Sequence, residues 1–364
     1  MEVKAAVVYR AGAEQKIESV DMVDVGEYEV IVRIVGVGIC HTDIAAQQQY
    51  IPYPLPGVLG HEGAGIVEQV GSKVTKVVPG DPVALSWLCC GTCDYCKGGN
   101  DPFCENFLAL NFGGKSRTGR VTFKKNGQAI HGTFFGQSSF ATFALAEEGN
   151  VVKLPAEMPV EIAGPLGCGV QTGAGAVMNS LRPEIGSSIA VFGVGTVGMS
   201  AVMAAHAIGC TKIIAVDVHP DRLKLAEELG ATHVVNANET DPVKAVFDIT
   251  GKGAEYSLEC VGNPKVFRQA TDVLRLMGTC GLVGVVAPGT EVTLNMDLIM
   301  NGRRLKGVIE GDAIPDLFIP RLIDLHLQGR FPYEKLIKFY DFKDINKAIE
   351  EMEKGGVVKP VLRA

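Results

Sequence analysis

The sequence predicts an α/β protein in two parts, a β-barrel-like unit followed by a doubly wound parallel sheet. Three observations carry this reading. The first half is rich in Gly, Pro and short β-branched runs, and the runs at 5–9, 30–35, 65–70 and 82–85 sit between turn signals. From about residue 185, strand-like apolar runs alternate with helical stretches, the rhythm of βαβ units. Between the first of those runs and the first of those helices lies Gly193-Val194-Gly195-Thr196-Val197-Gly198. A chain of 364 residues fits two domains at about 100–200 residues each.

Each element follows from local chemistry. Val77-Val78-Pro79-Gly80-Asp81-Pro82-Val83 is a turn that leads into a strand. The continuous apolar run 187–192 reads as a strand buried on both faces. A helical stretch through residue 208 follows, then a strand at 213–217, a helix at 220–229 and a short strand at 233–235. Further strand-like runs occupy 256–260 and 280–286. The segment after 310 is mixed and is assigned back to the first unit. The expected domains are therefore 1–169 with 311–364, and 170–310 between them. No internal repeat or low-complexity segment interrupts this plan.

Composition excludes several function classes. The hydrophobic share of 47% and charged share of 21% supply apolar material for two cores. A net charge of -7 without a basic block argues against nucleic acid as a partner. No apolar run reaches the about 18 residues a membrane span needs. The start of the chain lacks the charged residues and apolar core of a signal peptide. The expected location is the cytoplasm.

Ten cysteines are present, five of them between Cys89 and Cys104. Clustering of this kind in an intracellular chain favours metal over disulfides. Cys90-x2-Cys93-x2-Cys96-x7-Cys104 places four thiolates on a short loop, enough to close a tetrahedral zinc site with no position left for substrate. Gly91, Gly98 and Gly99 let the backbone fold around the ion. Four buried thiols without metal are the plain alternative. An iron–sulfur cluster is another, although the bacterial ferredoxin run ends in x3-Cys-Pro and this one does not. Cys89, adjacent to Cys90, is a substitute ligand that spacing alone does not exclude.

Three further segments hold candidate ligands: Cys40-His41-Thr42-Asp43, Gly60-His61-Glu62-Gly63 and Gly167-Cys168-Gly169. Two thiolates and an imidazole make a catalytic zinc set with its fourth position open. Taken singly, a cysteine is more often a small core residue and a histidine a hydrogen-bonded one. Spacing does not bring three separated segments together.

The glycine fingerprint has its context. It follows the strand ending at Phe192 and opens a helix, and Asp217 lies nineteen residues beyond Gly198 at the end of the next strand. This is the Rossmann arrangement, in which the pyrophosphate meets the helix N-terminus. Asp217 is expected to accept a hydrogen bond from the adenine-ribose 2′-OH and to repel a 2′-phosphate, so NAD is favoured over NADP. A glycine-rich turn without a ligand is the alternative.

Together the Cys40–Asp43, Gly60–Glu62 and Gly167–Gly169 segments and the four-cysteine lobe resemble the zinc-containing medium-chain alcohol dehydrogenases. The resemblance runs from about residue 5 to the end. It is closest to the benzyl-alcohol (aryl-alcohol) and geraniol dehydrogenase branch, on Phe134-Phe135-Gly136-Gln137-Ser138-Ser139-Phe140-Ala141-Thr142, Gly164–Gly175, Glu310-Gly311-Asp312 and Phe318-Ile319-Pro320. It implies a GroES-like β-barrel catalytic domain beside the Rossmann domain. It further implies two Zn²⁺ per chain, a catalytic ion on Cys40, His61 and Cys168 and a structural ion on Cys90, Cys93, Cys96 and Cys104. Asp43 is similar to the carboxylate that fixes the liganding histidine's tautomer. Glu62 resembles the glutamate behind the metal, and Thr42 the hydroxyl that contacts the alcohol and passes its proton on. Many members carry a histidine three residues after the Thr42 position to end the proton relay. Here that residue is Ala45, so the proton leaves through water or through another group such as His41.

For the cofactor, the resemblance adds His41, Thr172, Arg222, Val283, Val285 and Lys359 to the fingerprint, with Arg222 at the adenine ribose and His41 and Lys359 near the pyrophosphate. Solvated surface charge is the alternative for Arg222 and Lys359. Trp87, the only tryptophan, is expected either to wall a substrate pocket or to pack beneath the lobe, and Ile51 and Leu110 are weaker candidates for the same wall. His131, His206, His219 and His233 are read as structural or solvent-facing, and Cys210, Cys260 and Cys280 as core. The expected activity is NAD-linked oxidation of primary benzylic or allylic alcohols to aldehydes and the reverse. The rivals are a formaldehyde or thiol-adduct dehydrogenase and a non-catalytic scaffold. The expected assembly is a homodimer or homotetramer.

Overall fold

β-branched residues build the first unit's strands, and the strand registers carry its candidate ligands to one place. The computed structural model describes residues 1–364. Its first unit comprises Met1–Cys168, Ile314–Ile323 and Leu336–Ala364. One sheet takes β1 (Glu2–Val8), β2 (Lys16–Met22), β4 (Gly57–Val58), β7 (Phe123–Lys125) and β8 (Gln128–Ile130) in the order β4-β1-β2-β7-β8. The other is built on β3 (Glu29–Gly38), flanked by β5 (Glu62–Val70) and by β18 (Lys359–Arg363), with β9 (Phe143–Glu147) paired to its first half. β6 (Pro82–Leu85) and β10 (Val151–Lys153) extend it beyond β5, and β17 (Ile337–Asp341) beyond β18. Val30, Val32, Ile34 and Val37 of β3 are buried with Phe123, Phe134 and Phe140 in one core. At about 1.5–3 kcal/mol for each fully buried aliphatic or aromatic side chain, such clusters are what hold the strands in register.

That register matters for chemistry. Gly38 of β3 pairs with Glu62 of β5, so Cys40, two residues past one strand end, lies beside His61, one residue before the other strand. β18 pairs Val361 with Gly38, which brings Lys359 to the same end. Gly167 packs so closely on the end of β6 that a Cβ there would stand 2.0 Å from the Leu85 carbonyl oxygen. Cys168 is thereby drawn to the same end.

The second unit comprises Gly169–Ala313 and Asp324–Lys335. Its six strands are β11 (Ser188–Phe192), β12 (Lys212–Asp217), β13 (His233–Asn236), β14 (Ala254–Glu259), β15 (Leu274–Leu282) and β16 (Arg304–Gly307), in the order β13-β12-β11-β14-β15-β16. All neighbours are parallel. β11 is buried at every residue, as a central parallel strand should be. Two sequence expectations are corrected. The strand expected at 280–286 ends at Leu282. Beyond it the chain passes over the Gly262 turn so closely that a Cβ on Gly284 would stand 2.0 Å from the Gly262 nitrogen, and Val285 is left 62% exposed. Residues 324–335 group with the second unit rather than with the first. There Phe331 and Tyr333 are buried, and Arg330 donates to the Ala207 carbonyl.

Candidate active site and metal centres

Cys40 caps the helix His41–Gln47, and the third residue of that helix organises the surroundings. One oxygen of Asp43 accepts from the Cys40 N–H at 2.9 Å, and the other accepts from the Gly60 N–H at 3.0 Å and bonds His61 Nδ1 at 2.8 Å. Asp43 and His61 are fully buried. An ionised carboxylate only accepts, so Nδ1 carries the proton and Nε2 presents its lone pair. That Nε2 is buried and has no hydrogen-bond partner. The ligand atoms of Cys40, His61, Glu62 and Cys168 lie within 4.8 Å of one another. An orphaned imidazole nitrogen facing two thiols suits a zinc ion, which prefers this mixture of sulfur and nitrogen.

The electrostatics agree. A hydrogen bond from Cys168 holds the Cys40 thiol well below its usual range, against burial and with help from His61. Burial disfavours the His61 imidazolium, but Asp43 and Cys40 outweigh it and raise the pKa.

Behind this group lies a buried ion pair. Lys359 donates to the Ile39 carbonyl at 2.9 Å and to the two Glu62 oxygens at 2.9 and 2.8 Å. These bonds take all three of its N–H donors. The surface-charge reading of Lys359 is thus corrected: pairing of β18 with β3 carries it into the interior. Burial pushes Glu62 up to about 7, opposed chiefly by Lys359. Thr42 lies 3.7 Å from the Cys40 sulfur through its hydroxyl. His41, the first residue of its helix, is exposed.

The four lobe sulfurs also gather within 4.8 Å of one another. Backbone N–H groups of Thr92 and Cys93 point at the Cys90 sulfur, and those of Cys90 and Asn106 at the Cys104 sulfur, at 3.2–3.4 Å. Such donors stabilise thiolates; those from Thr92 and Cys93 bring Cys90 down to about 5. Cys89 forms a second grouping with Cys96 and Asp101. No cysteine of the chain is in a disulfide.

In the second unit, Gly193 has φ +84° and Gly198 packs 1.9 Å (as a Cβ) from the Gly193 carbonyl oxygen, so neither tolerates a side chain. A Cβ on Gly195 would meet nothing within 4 Å. That open cradle sits at the N-cap of the helix Thr196–Ala207, which has no side-chain cap. A helix start of this kind, with an open glycine cradle before it, fits a pyrophosphate. Asp217 accepts from the Val194 N–H at 2.8 Å with one oxygen and from the Val218 and His219 N–H groups with the other. It fastens the glycine loop to the end of β12. Arg222 is half-buried and its Nε has no partner. Thr172 donates to Glu310 at 3.2 Å, and Val283 follows the end of β15.

The aromatic surroundings were the least legible part. Phe135, with φ +51°, stacks on the His61 ring at 4.4 Å, and Phe134 meets it edge-on at 5.4 Å. Trp87 is buried against Phe107, which touches Phe135. Ile51 is half-buried beyond the helix His41–Gln47. Leu110 lines a shallow cleft with Leu88, Lys115, Arg117 and Leu145, to which no metal-site residue contributes. Adjacent phenylalanines in an apolar stretch look like core from sequence, and only the stacking distinguishes them.

Comparison with known proteins bears on both units. A family model described as an alcohol dehydrogenase GroES-like domain matches residues 26–156, and one described as a zinc-binding dehydrogenase matches residues 196–326. The chain is 44% identical over 362 residues to the geraniol dehydrogenase of Castellaniella defragrans, covering 99% of this chain and 97% of that protein. The benzyl alcohol dehydrogenase structure from Acinetobacter calcoaceticus matches with a TM-score of 0.96 at 42% identity, covering 100% of this chain and 99% of that one. An alcohol dehydrogenase zinc-binding domain protein from Burkholderia ambifaria matches with a TM-score of 0.98 at 50% identity, covering 100% and 99%.

Proposed function

Because the chain belongs to the zinc-binding alcohol dehydrogenase family, we propose that it is an NAD-linked enzyme with two zinc ions that interconverts primary benzylic or allylic alcohols and their aldehydes. The observation that carries the chemistry is the buried, unpartnered Nε2 of His61 beside Cys40 and Cys168. The substrate class is supported by the likeness to a geraniol and a benzyl alcohol dehydrogenase and by the aromatic packing around His61.

When bound, zinc supplies Lewis acidity toward an alcohol oxygen and NAD⁺ supplies the hydride acceptor. The chain's own residues do the rest. Asp43 fixes the His61 tautomer and orientation. The Thr42 hydroxyl accepts the alcohol proton, and water carries it on, since Ala45 offers no base. Asp217 receives the adenine-ribose hydroxyls and disfavours a 2′-phosphate. Lys359 keeps Glu62 occupied behind the ligands.

A homo-oligomer completes the reading. β16 is the outer strand of its sheet, and in the helix that precedes it in the chain Met296 and Met300 are 84% and 86% exposed. An open strand edge with apolar neighbours favours association of like chains. No helix is long and apolar enough to cross a membrane, and we place the enzyme in the cytoplasm.

The test is NAD⁺ reduction with ethanol, benzyl alcohol, geraniol, cyclohexylmethanol and S-(hydroxymethyl)glutathione as substrates. Benzyl alcohol and geraniol should lead in kcat/KM. If the glutathione adduct leads, the thiol-adduct reading replaces this one. If no substrate turns over on a metal-loaded chain, the scaffold reading does.

A further inference from the structure

Gln137 is fully buried, and its amide uses its whole bonding capacity. Its Oε1 accepts from the Gly63 N–H at 3.1 Å and from the Ser139 hydroxyl at 2.7 Å. Its Nε2 donates to the carbonyls of His61 at 2.9 Å and Ser86 at 3.0 Å. The Ser86 hydroxyl in turn donates to the Gly167 carbonyl at 2.7 Å, the residue before Cys168. These bonds begin where the sheet stops. The ladder between β5 and β6 ends at the Ala64–Ala84 pair, so beyond it no strand pairing between them fixes His61 against Ser86. We propose that Gln137 is a positioning residue for the metal set. It clips the two strand ends together and, through Ser86, fixes the spacing of His61 and Cys168.

Asp43 bonds Cys40 and His61 to each other but makes no bond to the segment that carries Cys168. Gln137 adds a tie through Ser86, acting on backbone rather than on the ligand side chains. The arrangement is also intolerant of substitution nearby, since a Cβ on Gly63 would stand 2.2 Å from the Ser139 hydroxyl. A buried amide with four bonds holds one geometry, because losing any bond leaves a desolvated group unpaired.

The proposal rests on the reading of Cys40, His61 and Cys168 as a metal site, and the lobe provides an internal control. The experiment compares the wild-type chain, Gln137→Glu and Ser86→Ala, each loaded with zinc or cobalt(II). Gln137→Glu keeps the acceptor and the shape but loses both donors. Ser86→Ala keeps the carbonyl and loses only the tie to Gly167, so it tests the same path if the first variant fails to fold. Zinc release to a chelator and the visible cobalt spectrum are both recorded. We expect release from the three-ligand site to speed up about tenfold or more, the range for losing a supporting contact. The cobalt bands should shift, while the lobe's release phase stays where it is. Folded variants that lose thermal stability with release and spectrum unchanged would show that Gln137 is structural only and overturn the proposal. A wild-type chain that takes up metal at the lobe alone overturns the site reading and this proposal with it.

Discussion

Asp43 and His61 face each other at 2.8 Å with neither side chain exposed to solvent. The same carboxylate also holds the backbone of Cys40 and Gly60. Asp43→Asn preserves size but replaces one acceptor oxygen with a donor, so at least one of these bonds is lost. We expect metal affinity at Cys40, His61 and Cys168 to fall about 10–100-fold, with kcat reduced in step. Competition with a chromogenic chelator measures the first. Unchanged affinity would show that Asp43 serves the helix cap alone.

The two sulfur-bearing sites differ in closure. Four cysteine sulfurs gather in one group, and Cys40, His61, Glu62 and Cys168 in the other. We expect two zinc ions per chain and two release phases, because an open site exchanges faster than a closed one. Activity should follow the fast phase and thermal stability the slow one. Elemental analysis that finds iron, or one zinc per chain after gentle purification, contradicts this.

The cofactor prediction concerns Asp217→Gly combined with Val218→Arg. Removing the carboxylate removes the repulsion, and a guanidinium at the 44% exposed position 218 offers a phosphate partner. The ratio of kcat/KM for NADP⁺ over NAD⁺ should rise by orders of magnitude. Asp217 also anchors the glycine loop, so we expect a stability loss of about 1–3 kcal/mol for the unpaired N–H groups. A folded double variant that still prefers NAD⁺ refutes the role given to Asp217.

Trp87 separates two readings of the aromatic cluster. If its ring walls the substrate pocket, Trp87→Ala should reduce kcat/KM for benzyl alcohol far more than for ethanol. If it only packs beneath the lobe, both substrates should suffer together and lobe zinc should be lost faster. Either way the cavity should cost about 3–5 kcal/mol, visible in chemical denaturation. Cyclohexylmethanol, similar in size to benzyl alcohol but not conjugated, separates pocket fit from the ease of forming a conjugated aldehyde. Each buried CH₂ is worth about 0.8 kcal/mol, so ethanol should trail both. Ethanol equal to both would remove the aryl and allyl reading and leave the dehydrogenase.

For assembly, Met296→Glu with Met300→Glu places charge on the exposed methionines of the helix that precedes β16. We expect light scattering to show a smaller species than the wild type at equal concentration. A wild type that is already monomeric, or a variant of unchanged mass, rules out this face.

How far the sequence could be read depended on whether a residue's role was local. The glycine fingerprint, its flanking strand and Asp217 are set within one βαβ unit, and period, turn chemistry and spacing exposed them. The lobe is likewise one loop. Cys40, His61 and Cys168 meet only because the Gly38–Glu62 register and the packing of Gly167 on Leu85 bring them together. No spacing rule contains that, and resemblance had to supply it. The surface alternative for Lys359 fails because the pairing of β18 with β3, a contact across most of the chain, buries it. Gln137 belongs to no motif of its own. Its signal was present nonetheless: polar Gln-Ser-Ser set between Phe134-Phe135 and Phe140-Ala141, in a run that otherwise reads as core.

The burial of a single indole gives the chain a built-in reporter with a narrow field of view. Trp87 lies in the first unit, its ring nitrogen unpartnered and its neighbour Phe107 linked through Phe135 to His61. Its emission should be blue while that packing is dry and should move to the red when water enters. The second unit contains no tryptophan, so a fluorescence melt registers the barrel's collapse and is blind to a nucleotide-binding unit that melts on its own. Agreement between such a melt and one followed by far-ultraviolet dichroism, which sees both units, is therefore itself the measurement of whether the two unfold as one cooperative body.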